Sequence, residues 1–316
     1  MPCYKPLKGW RSNKENDNGK YPVVFQHQKT ETGHLADLPE VELPCGKCIY
    51  CRLEYSRQWA LRIMHEAQLH QENTFITLTY DEEFLPSDQS LDKREWQLFL
   101  KKLRKELYPK KIRFFMCGEY GQDQELLKLG INSIGRPHYH AVIFGHTFSD
   151  KQPVHTNHQN DIVYTSPLLE KIWGKGFVTV GEVTFESAAY VARYVVKKVT
   201  GDQALDHYQY CDYETGETFL REPEFCLQSR RPGIARNWFD KYKKDLDKGF
   251  ITSRGIKMQP PKYYDKLFEE FRPFRMDEIK ELRSEQARTD TDSTPERLAV
   301  KEKIKLKKLK TLKRNL

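Results

Sequence analysis

The sequence predicts an α+β fold in which helices pack on a central antiparallel sheet. Short runs of β-branched and aromatic residues separate longer segments whose apolar residues recur every three or four positions. From Phe75 to Lys198 the predicted order is strand, helix, strand, strand, strand, helix. This order suits an antiparallel sheet with its helices on one side. The 316 residues suffice for one large domain or two small ones.

The positive charge of the chain is concentrated near its end. The net charge is +8, from 53 basic and 45 acidic residues, yet residues 301–316 alone hold eight Lys or Arg and one Glu. The rest of the chain is therefore close to neutral. This excludes a uniformly basic DNA clamp and leaves local basic patches.

Composition also bears on the compartment. No apolar run reaches the roughly 18 residues of a membrane span, and the first residues lack the apolar core of a signal peptide. We therefore expect a cytosolic protein without a membrane partner. Seven cysteines, an odd number, argue against a disulfide framework.

Residues 1–52 predict an irregular N-terminal arm that carries a cysteine cluster. Cys45, Cys48 and Cys51 follow one another at two-residue gaps, which is a metal-ligand spacing. Cys3 could supply a fourth thiolate. The pattern predicts a structural Zn²⁺ site, and an iron–sulfur cluster or reduced thiols at the start of a helix are the alternatives.

Two helices and a strand follow the arm. Residues 54–69 and 90–108 predict helices, because their apolar residues fall on one stripe. Between them, residues 75–80 form a β-branched and aromatic run that predicts a buried strand. Thr77 and Thr79 alternate with apolar residues in this strand.

The next two strands carry candidate ligands for a cation. Residues 136–144 alternate as a strand does, so His138 and His140 leave the same face of a sheet. Two imidazoles at that spacing can hold one divalent ion. Residues 111–116 predict the preceding strand, and Glu119, just off its end, could reach the same ion. The alternatives are polar histidines on a half-exposed face and a surface Glu at a turn.

A last strand, predicted over 177–185, delivers the chain into a helix that presents two phenols. Helical spacing places Tyr190, Tyr194 and Lys198 on one face, four residues apart, and Ser187 can cap the segment. A different, apolar face can pack on the sheet, so the phenols need another role. That apolar face is formed by Ala188, Val191 and Val195.

These segments together resemble the HUH endonucleases. More closely, they resemble the two-tyrosine replication initiators of single-stranded DNA phages, in particular the gokushovirus branch of the microviruses. The segments 75–80, 136–144 and 190–198 carry the resemblance in this order, and resembling blocks extend from about residue 3 to about residue 264. The resemblance implies an RRM-like endonuclease core at residues 53–200.

The resemblance also implies an activity. Mg²⁺ or Mn²⁺ would be held by the two histidines, with Glu119 as the third ligand. Tyr190 or Tyr194 would attack origin DNA, leaving a 5′-phosphotyrosine link and a free 3′-hydroxyl primer for rolling-circle replication, and the ends would later be rejoined. Lys198 would stabilise charge or assist proton transfer.

Further partners follow from the same resemblance. The strand with Thr77 and Thr79 would lie near the bound single-stranded DNA. Because the sequence has no phosphate-loop motif, GxxxxGK[ST], a host helicase would unwind the duplex, and a DNA polymerase would extend the primer. The location implied is the cytoplasm of a bacterial host.

The remaining residues predict a DNA-contacting extension, 201–264, and a charged helical or disordered tail, 265–316. Arg230, Arg231 and Arg236 form a basic cluster with Gly and Pro, which suits phosphate contacts. In the phage family Gly usually stands at the position of Ala235. An ordinary Arg-rich turn is the alternative.

Three other functions compete with the phage initiator. A plasmid relaxase or transposase would use the same chemistry. A non-catalytic RRM-like module would bind nucleic acid by stacking bases on its sheet, but it would not need aligned histidines and tyrosines. A zinc-organised regulator would use only the cysteine cluster and would leave the tyrosine helix unexplained.

Overall fold

A computed structural model shows the α+β architecture that the sequence predicts. It describes residues 3–17, 19, 21–25, 38–122, 134–156, 162–194, 198–199, 203–212 and 215–311. The chain separates into two compact units, Met1–Glu54 with Lys280–Arg314, and Tyr55–Ile279. None of the described helices is long and apolar enough to cross a membrane.

The described part of the chain contains fourteen strands and nine α-helices. The strands are β1 (Leu7–Arg11), β2 (Val23–Val24), β3 (Glu40–Leu43), β4 (Asn73–Thr79), β5 (Arg113–Gln122), β6 (Ile134–Phe144), β7 (Gln152–Thr156), β8 (Ile162–Thr165), β9 (Val178–Gly181), β10 (Gln209–Cys211), β11 (Thr218–Leu220), β12 (Phe225–Gln228), β13 (Ile251–Ser253) and β14 (Ile256–Met258). The helices are α1 (Ile49–Ala67), α2 (Lys93–Glu106), α3 (Pro167–Trp173), α4 (Phe185–Tyr194), α5 (Gln203–Tyr208), α6 (Arg236–Tyr242), α7 (Lys262–Phe271), α8 (Pro273–Arg288) and α9 (Pro295–Thr311).

Seven strands form the central sheet in the order β12-β5-β6-β4-β9-β8-β7. Every neighbouring pair is antiparallel. The three central strands β5, β6 and β4 are the longest, because their runs of aromatic and β-branched residues suit a pleated surface that is covered on both sides.

Helices cover both faces of this sheet, so the expectation of helices on one side only is wrong. One face carries Val142 and Phe144 and packs against α1, α4, α6 and α7. The opposite face carries Tyr139, Ala141 and Ile143 and packs against α2 and α3. Since β6 is apolar on both faces over these positions, it needs cover on both sides.

Several segments are more ordered than the sequence predicts. The N-terminal arm, expected to be irregular, contains a three-stranded antiparallel sheet in the order β2-β1-β3. Residues 147–165, whose polar sequence is typical of a loop, contain the antiparallel strands β7 and β8. Residues 257–264, whose paired prolines Pro260 and Pro261 are typical of a linker, contain the end of β14 and the start of α7. Short polar strands lack the periodicity that sequence patterns detect.

A buried histidine joins helix α1 to the C-terminal helices of the second unit. The His65 ring stacks on Trp238 at a centroid distance of 3.6 Å, and its Nδ1 lies 2.8 Å from the hydroxyl of Tyr264. Burial lowers the pKa of His65 to about 4. The imidazole is therefore neutral in the folded protein at pH 7.

We predict that this histidine makes the second unit acid-sensitive. His65 takes up a proton near pH 6.5 in the unfolded chain but only near pH 4 in the folded chain. Its contribution to the free energy of unfolding is therefore fully present above pH 6.5 and is lost as the pH falls towards 4. The free energy of unfolding should drop by about 2 kcal/mol between pH 7 and pH 5. Denaturant unfolding, followed by tryptophan fluorescence, measures this drop.

The variant His65→Phe should lose this part of the pH dependence, because phenylalanine does not titrate. His155→Phe, at an exposed position of β7, is the matched control and should keep the wild-type profile. Identical profiles for wild type and His65→Phe would contradict the prediction.

Candidate active site

The strand register places the candidate ligands in two cross-strand rows on one face of the sheet. In the first row Glu119 of β5 is opposite His138 of β6, which is opposite Thr79 of β4. In the second row His140 is opposite Thr77. The sheet thus brings together residues that are up to 63 positions apart in the chain.

Glu119 lies inside strand β5, so the expectation that it stands just off the end of the strand is wrong. The strand continues to Gln122 because Tyr120 also has a buried place, on the opposite face. Glu119 as a whole residue is 4% exposed. Its Oε1 lies 2.7 Å from Nε2 of His140 and accepts a hydrogen bond of 3.0 Å from the hydroxyl of Tyr190. A carboxylate at this depth requires such partners.

Both histidines are held through Nδ1. Nδ1 of His138 lies 2.8 Å from the carbonyl oxygen of Arg136, and Nδ1 of His140 lies 2.9 Å from Oγ1 of Thr77. The two rings are nearly parallel, with centroids 6.3 Å apart. A second partner at Nδ1 fixes the ring and directs Nε2 as the ligand atom, which is the usual arrangement of metal-binding histidines.

Burial lowers the pKa of His138, and the adjacent His140 lowers it further. The His138 ring is thus neutral at pH 7, the form that binds a cation. Helix and sheet enclose the site unevenly, since His140 is 8% exposed whereas His138 is half-buried. A ligand would reach the site from the His138 side.

Helix α4 begins two residues earlier than Ser187, which was expected to cap it. The cap is Thr184, whose Oγ1 accepts a hydrogen bond from the backbone N–H of Ser187, while Oγ of Ser187 accepts one from the N–H of Thr184. This is a reciprocal capping box with serine in the place of the usual Glu or Gln. It fixes the start of the helix.

The apolar face of α4 docks on the sheet as predicted and sets the position of the first tyrosine. Ala188 and Val191 are fully buried in the core of this face, together with Ala192. Tyr190, half-buried, then meets His140 edge to face at 5.2 Å between centroids. One phenol thereby reaches Glu119 and His140 at once.

The structure tests the other two predicted members of the helical face only in part. The described helix ends at Tyr194, whose side chain lies outside the described residues, as does Val195. Lys198 is exposed and lies outside any helix. The predicted alignment of Lys198 with Tyr190 on one helical face is therefore wrong.

The two threonines of β4 have protein partners. Thr77 contacts His140, and Oγ1 of Thr79 donates a 2.8 Å hydrogen bond to the carbonyl oxygen of Phe177. The sequence suggested DNA contact for both and missed the role of Thr77 as the partner of a histidine. Its position opposite that histidine could be found only from the register of the two strands.

The predicted arginine cluster lies at the far end of strand β5. Arg230 and Arg231 are exposed, and Arg113 donates a hydrogen bond of 2.8 Å to the carbonyl oxygen of the next residue, Pro232. Arg113 and Glu119 are six residues apart, about 20 Å along a strand. Arg236 forms an ion pair with Asp240. The fold therefore separates this cluster from the histidines.

The backbone near this cluster has the conformation that glycine would favour. Ala235 has φ of 61°, in the left-handed region, and its N–H donates a hydrogen bond of 2.5 Å to the buried carboxylate of Glu66. The alanine thus keeps the shape that Gly would give, at a cost of about 1 kcal/mol in backbone strain.

The four cysteines of the first unit come together as the sequence predicts. Cys3, Cys45, Cys48 and Cys51 bring their sulfur atoms within 4.8 Å of one another. The backbone N–H of Cys48 donates to Sγ of Cys45 at 3.2 Å, and that of Cys45 to Sγ of Cys3 at 3.3 Å. Such N–H···S contacts stabilise thiolates.

Within the described residues this is the one group of three or more His, Cys, Asp or Glu side chains that meets the geometry of a metal site. Burial raises the pKa of the Cys48 thiol, but hydrogen bonds from the backbone of Cys51 and Tyr4 and from neighbouring thiols outweigh it and bring the pKa to about 7. The donor set fits a cation that prefers sulfur.

The histidine site offers nitrogen and oxygen donors for a divalent cation. In the structure a hydrogen bond between two of these donors occupies them. Two imidazoles and one carboxylate are a donor set for a divalent cation. In the structure Glu119 bonds directly to His140, so a cation would replace that contact.

Comparison with known proteins places the chain among phage proteins. Residues 73–199 match the family described as replication-associated protein ORF2/G2P. The chain is 29% identical to the replication-associated protein VP4 of Bdellovibrio phage phiMH2K, over 92% of this chain and 87% of that protein. It is 31% identical to the replication-associated protein ORF2 of Spiroplasma virus 4, over 91% and 87%.

A third relative is the replication-associated protein ORF4 of Chlamydia phage 1. The identity is 29%, over 79% of this chain and 56% of that protein. No solved structure matches the chain.

Proposed function

Because the chain belongs to the family of phage replication-associated proteins, we propose that it starts rolling-circle replication by nicking single-stranded DNA at the phage origin. The observation that carries this proposal is the contact of a phenol with a candidate metal site. The hydroxyl of Tyr190 lies 3.0 Å from Glu119, which lies 2.7 Å from His140. A nucleophile and a phosphate-activating site need to be this close.

The proposed metal ligands are His138, His140 and Glu119. A bound Mg²⁺ or Mn²⁺ would neutralise charge on the non-bridging oxygens of the scissile phosphate. Residues of the chain itself orient the ligands and admit the substrate. The partners of the two Nδ1 atoms hold the imidazoles in orientation, and the half-buried side of His138 admits the DNA strand.

In the proposed reaction the oxygen of Tyr190 attacks phosphorus and the bond from phosphorus to the 3′ oxygen breaks. The phenol proton leaves along the hydrogen bond to Glu119, and the released 3′ oxygen takes up a proton from water. The products are a 5′-phosphotyrosine and a free 3′-hydroxyl. Attack by a 3′-hydroxyl on the link reverses the step and rejoins the DNA.

We propose Tyr194 as the second nucleophile, four residues after the first and at the end of helix α4. One tyrosine would hold the old 5′ end while the other cuts the regenerated origin. Lys198, exposed beyond the helix, would contact phosphate rather than a neighbouring phenol. Thr79, Arg230, Arg231 and Arg236 are proposed as further DNA contacts, and a helicase and DNA polymerase of the bacterial host, in its cytoplasm, as partners.

The test is cleavage of labelled single-stranded DNA that carries the candidate origin. Wild type with Mn²⁺ should give a covalent protein–DNA band, which chelator abolishes. Tyr190→Phe and Tyr194→Phe should each keep part of the band, and the double variant should lose it. Tyr108→Phe, at an exposed position away from these elements, is the control and should behave as wild type. DNA binding without a covalent band under any condition would overturn the proposal.

A second prediction concerns the partner of His140. Thr77→Val removes the hydroxyl at Nδ1 while keeping the shape of the side chain, so the nicking rate at limiting Mn²⁺ should fall about 10- to 100-fold. Thr179→Val, the neighbour of Thr77 on strand β9, is the matched control. Equal rates for the two variants would show that the hydroxyl does not support the site.

We also propose that the four cysteines hold a structural Zn²⁺ that ties the first residues of the chain to the start of helix α1. Elemental analysis of the purified protein should give one zinc per chain. Cys48→Ser should lose the metal and lower the melting temperature, because zinc binding contributes directly to folding.

Cys211→Ser is the control for the zinc proposal, since Cys211 is exposed and lies outside the group. It should keep one zinc per chain. Iron in place of zinc, or equal zinc in wild type and Cys48→Ser, would contradict the proposal.

A further inference from the structure

The first cross-strand row of the candidate active site extends one strand beyond Thr79. Strand β9 pairs with β4 so that Leu78 is opposite Val178, and the next position brings Phe177 opposite Thr79. The backbone N–H of Thr79 donates a hydrogen bond of 2.9 Å to the carbonyl oxygen of Phe177, which continues the ladder. The row is therefore Phe177, Thr79, His138, Glu119.

Phe177 stands one residue before β9, and the alternation of side chains along that strand assigns it to the face of the histidines. Val178 and Val180 are buried in the core of the opposite face, and side chains alternate along a strand. Two strand spacings separate Phe177 from His138, which is about 10 Å. Solvent exposure increases along the row, from 4% at Glu119 through half-buried His138 to 68% at Phe177.

The backbone that carries this exposed ring is held firmly. The carbonyl of Phe177 accepts bonds from both the N–H and the hydroxyl of Thr79, and the indole N–H of Trp173 donates to the carbonyl of Thr79. At Gly176 an added Cβ would lie 2.3 Å from the backbone nitrogen of Asp81, so the turn before Phe177 closes tightly on β4.

Single exposed apolar side chains are common on protein surfaces, so exposure alone carries no conclusion. Three features distinguish Phe177. It lies in the same cross-strand row as the candidate ligand His138, it stands at the exposed end of that row, and hydrogen bonds hold its backbone in place. A nucleobase presents a flat apolar face that can stack on such a ring. The sugar and phosphate of the same nucleotide can span the roughly 10 Å between Phe177 and His138.

Resting on the proposed nicking function, we propose that Phe177 is a stacking platform for one base of the single-stranded DNA substrate, next to the scissile phosphate. Stacking is tolerant of sequence, because every base has a π face. The platform would position the strand across the row, while the histidines act on the phosphate. Phe177 is thus a DNA-positioning residue.

The test measures binding of fluorescein-labelled (dT)12 and of an abasic deoxyribose-phosphate 12-mer, in chelator, where no cleavage takes place. Phe177→Ala should weaken binding of (dT)12 by about 5- to 150-fold and leave binding of the abasic strand unchanged. Phe177→Trp should keep the wild-type affinity for (dT)12. Phe177→Leu should resemble Phe177→Ala, since leucine is apolar but offers no ring to stack on.

Phe274→Ala, at a position 86% exposed on helix α8, is the matched control and should bind as wild type does. Equal affinities of wild type and Phe177→Ala for (dT)12, or equal losses on both strands, would overturn the stacking proposal. Because binding is measured without cleavage, this result is independent of the nicking test. A wild type that binds (dT)12 but never forms a covalent band would overturn the nicking function alone.

Discussion

The register of the three central strands is the constraint on which the candidate site depends. Hydrogen bonds between β5, β6 and β4 place Glu119, His138 and Thr79 in one row and His140 beside Thr77 in the next. A shift of one residue would turn every side chain of a strand to the opposite face. Such a shift would turn His138 and His140 into the opposite apolar core, and it would remove Tyr139 from its hydrogen bonds with Tyr80 and Asp92.

The packing of helix α4 on the sheet brings the proposed nucleophile, Tyr190, to these candidate ligands. The small apolar residues of α4 let the helix lie close to the sheet, and the capping box of Thr184 and Ser187 fixes where its first turn begins. Ser56 of α1 donates a hydrogen bond to the carbonyl oxygen of Ala189, so two helices brace each other over the site. The position of the Tyr190 phenol follows from these contacts rather than from local propensity.

Sequence reasoning predicted the parts of the molecule that depend on periodicity. The alternation around His138 and His140, the apolar face of α4 and the spacing of the cysteines each correspond to a feature of the structure. The α+β class is confirmed as well. These patterns are local, so a single segment contains all the information they need.

What the sequence missed depends on contacts between distant segments. The second layer of helices, the place of Glu119 inside a strand and the bond from Thr77 to His140 arise only when the sheet assembles. The end of α4 before Lys198 and the distance of the arginines from the histidines are also tertiary outcomes. Charge and helical phase indicate which residues are chemically suited to a site. They do not indicate which of these residues the fold brings into contact.

The hydrogen bonds of Glu119 to His140 and Tyr190 bear on when the proposed divalent ion can bind. Side chains of the protein itself compensate the buried carboxylate, whereas an uncompensated charge at that depth would cost roughly several kcal/mol. Under the proposed function, the chain could be synthesised, stored and then loaded reversibly with whatever suitable divalent ion is abundant. The proposed cysteine site would behave in the opposite way, as a permanent part of the fold.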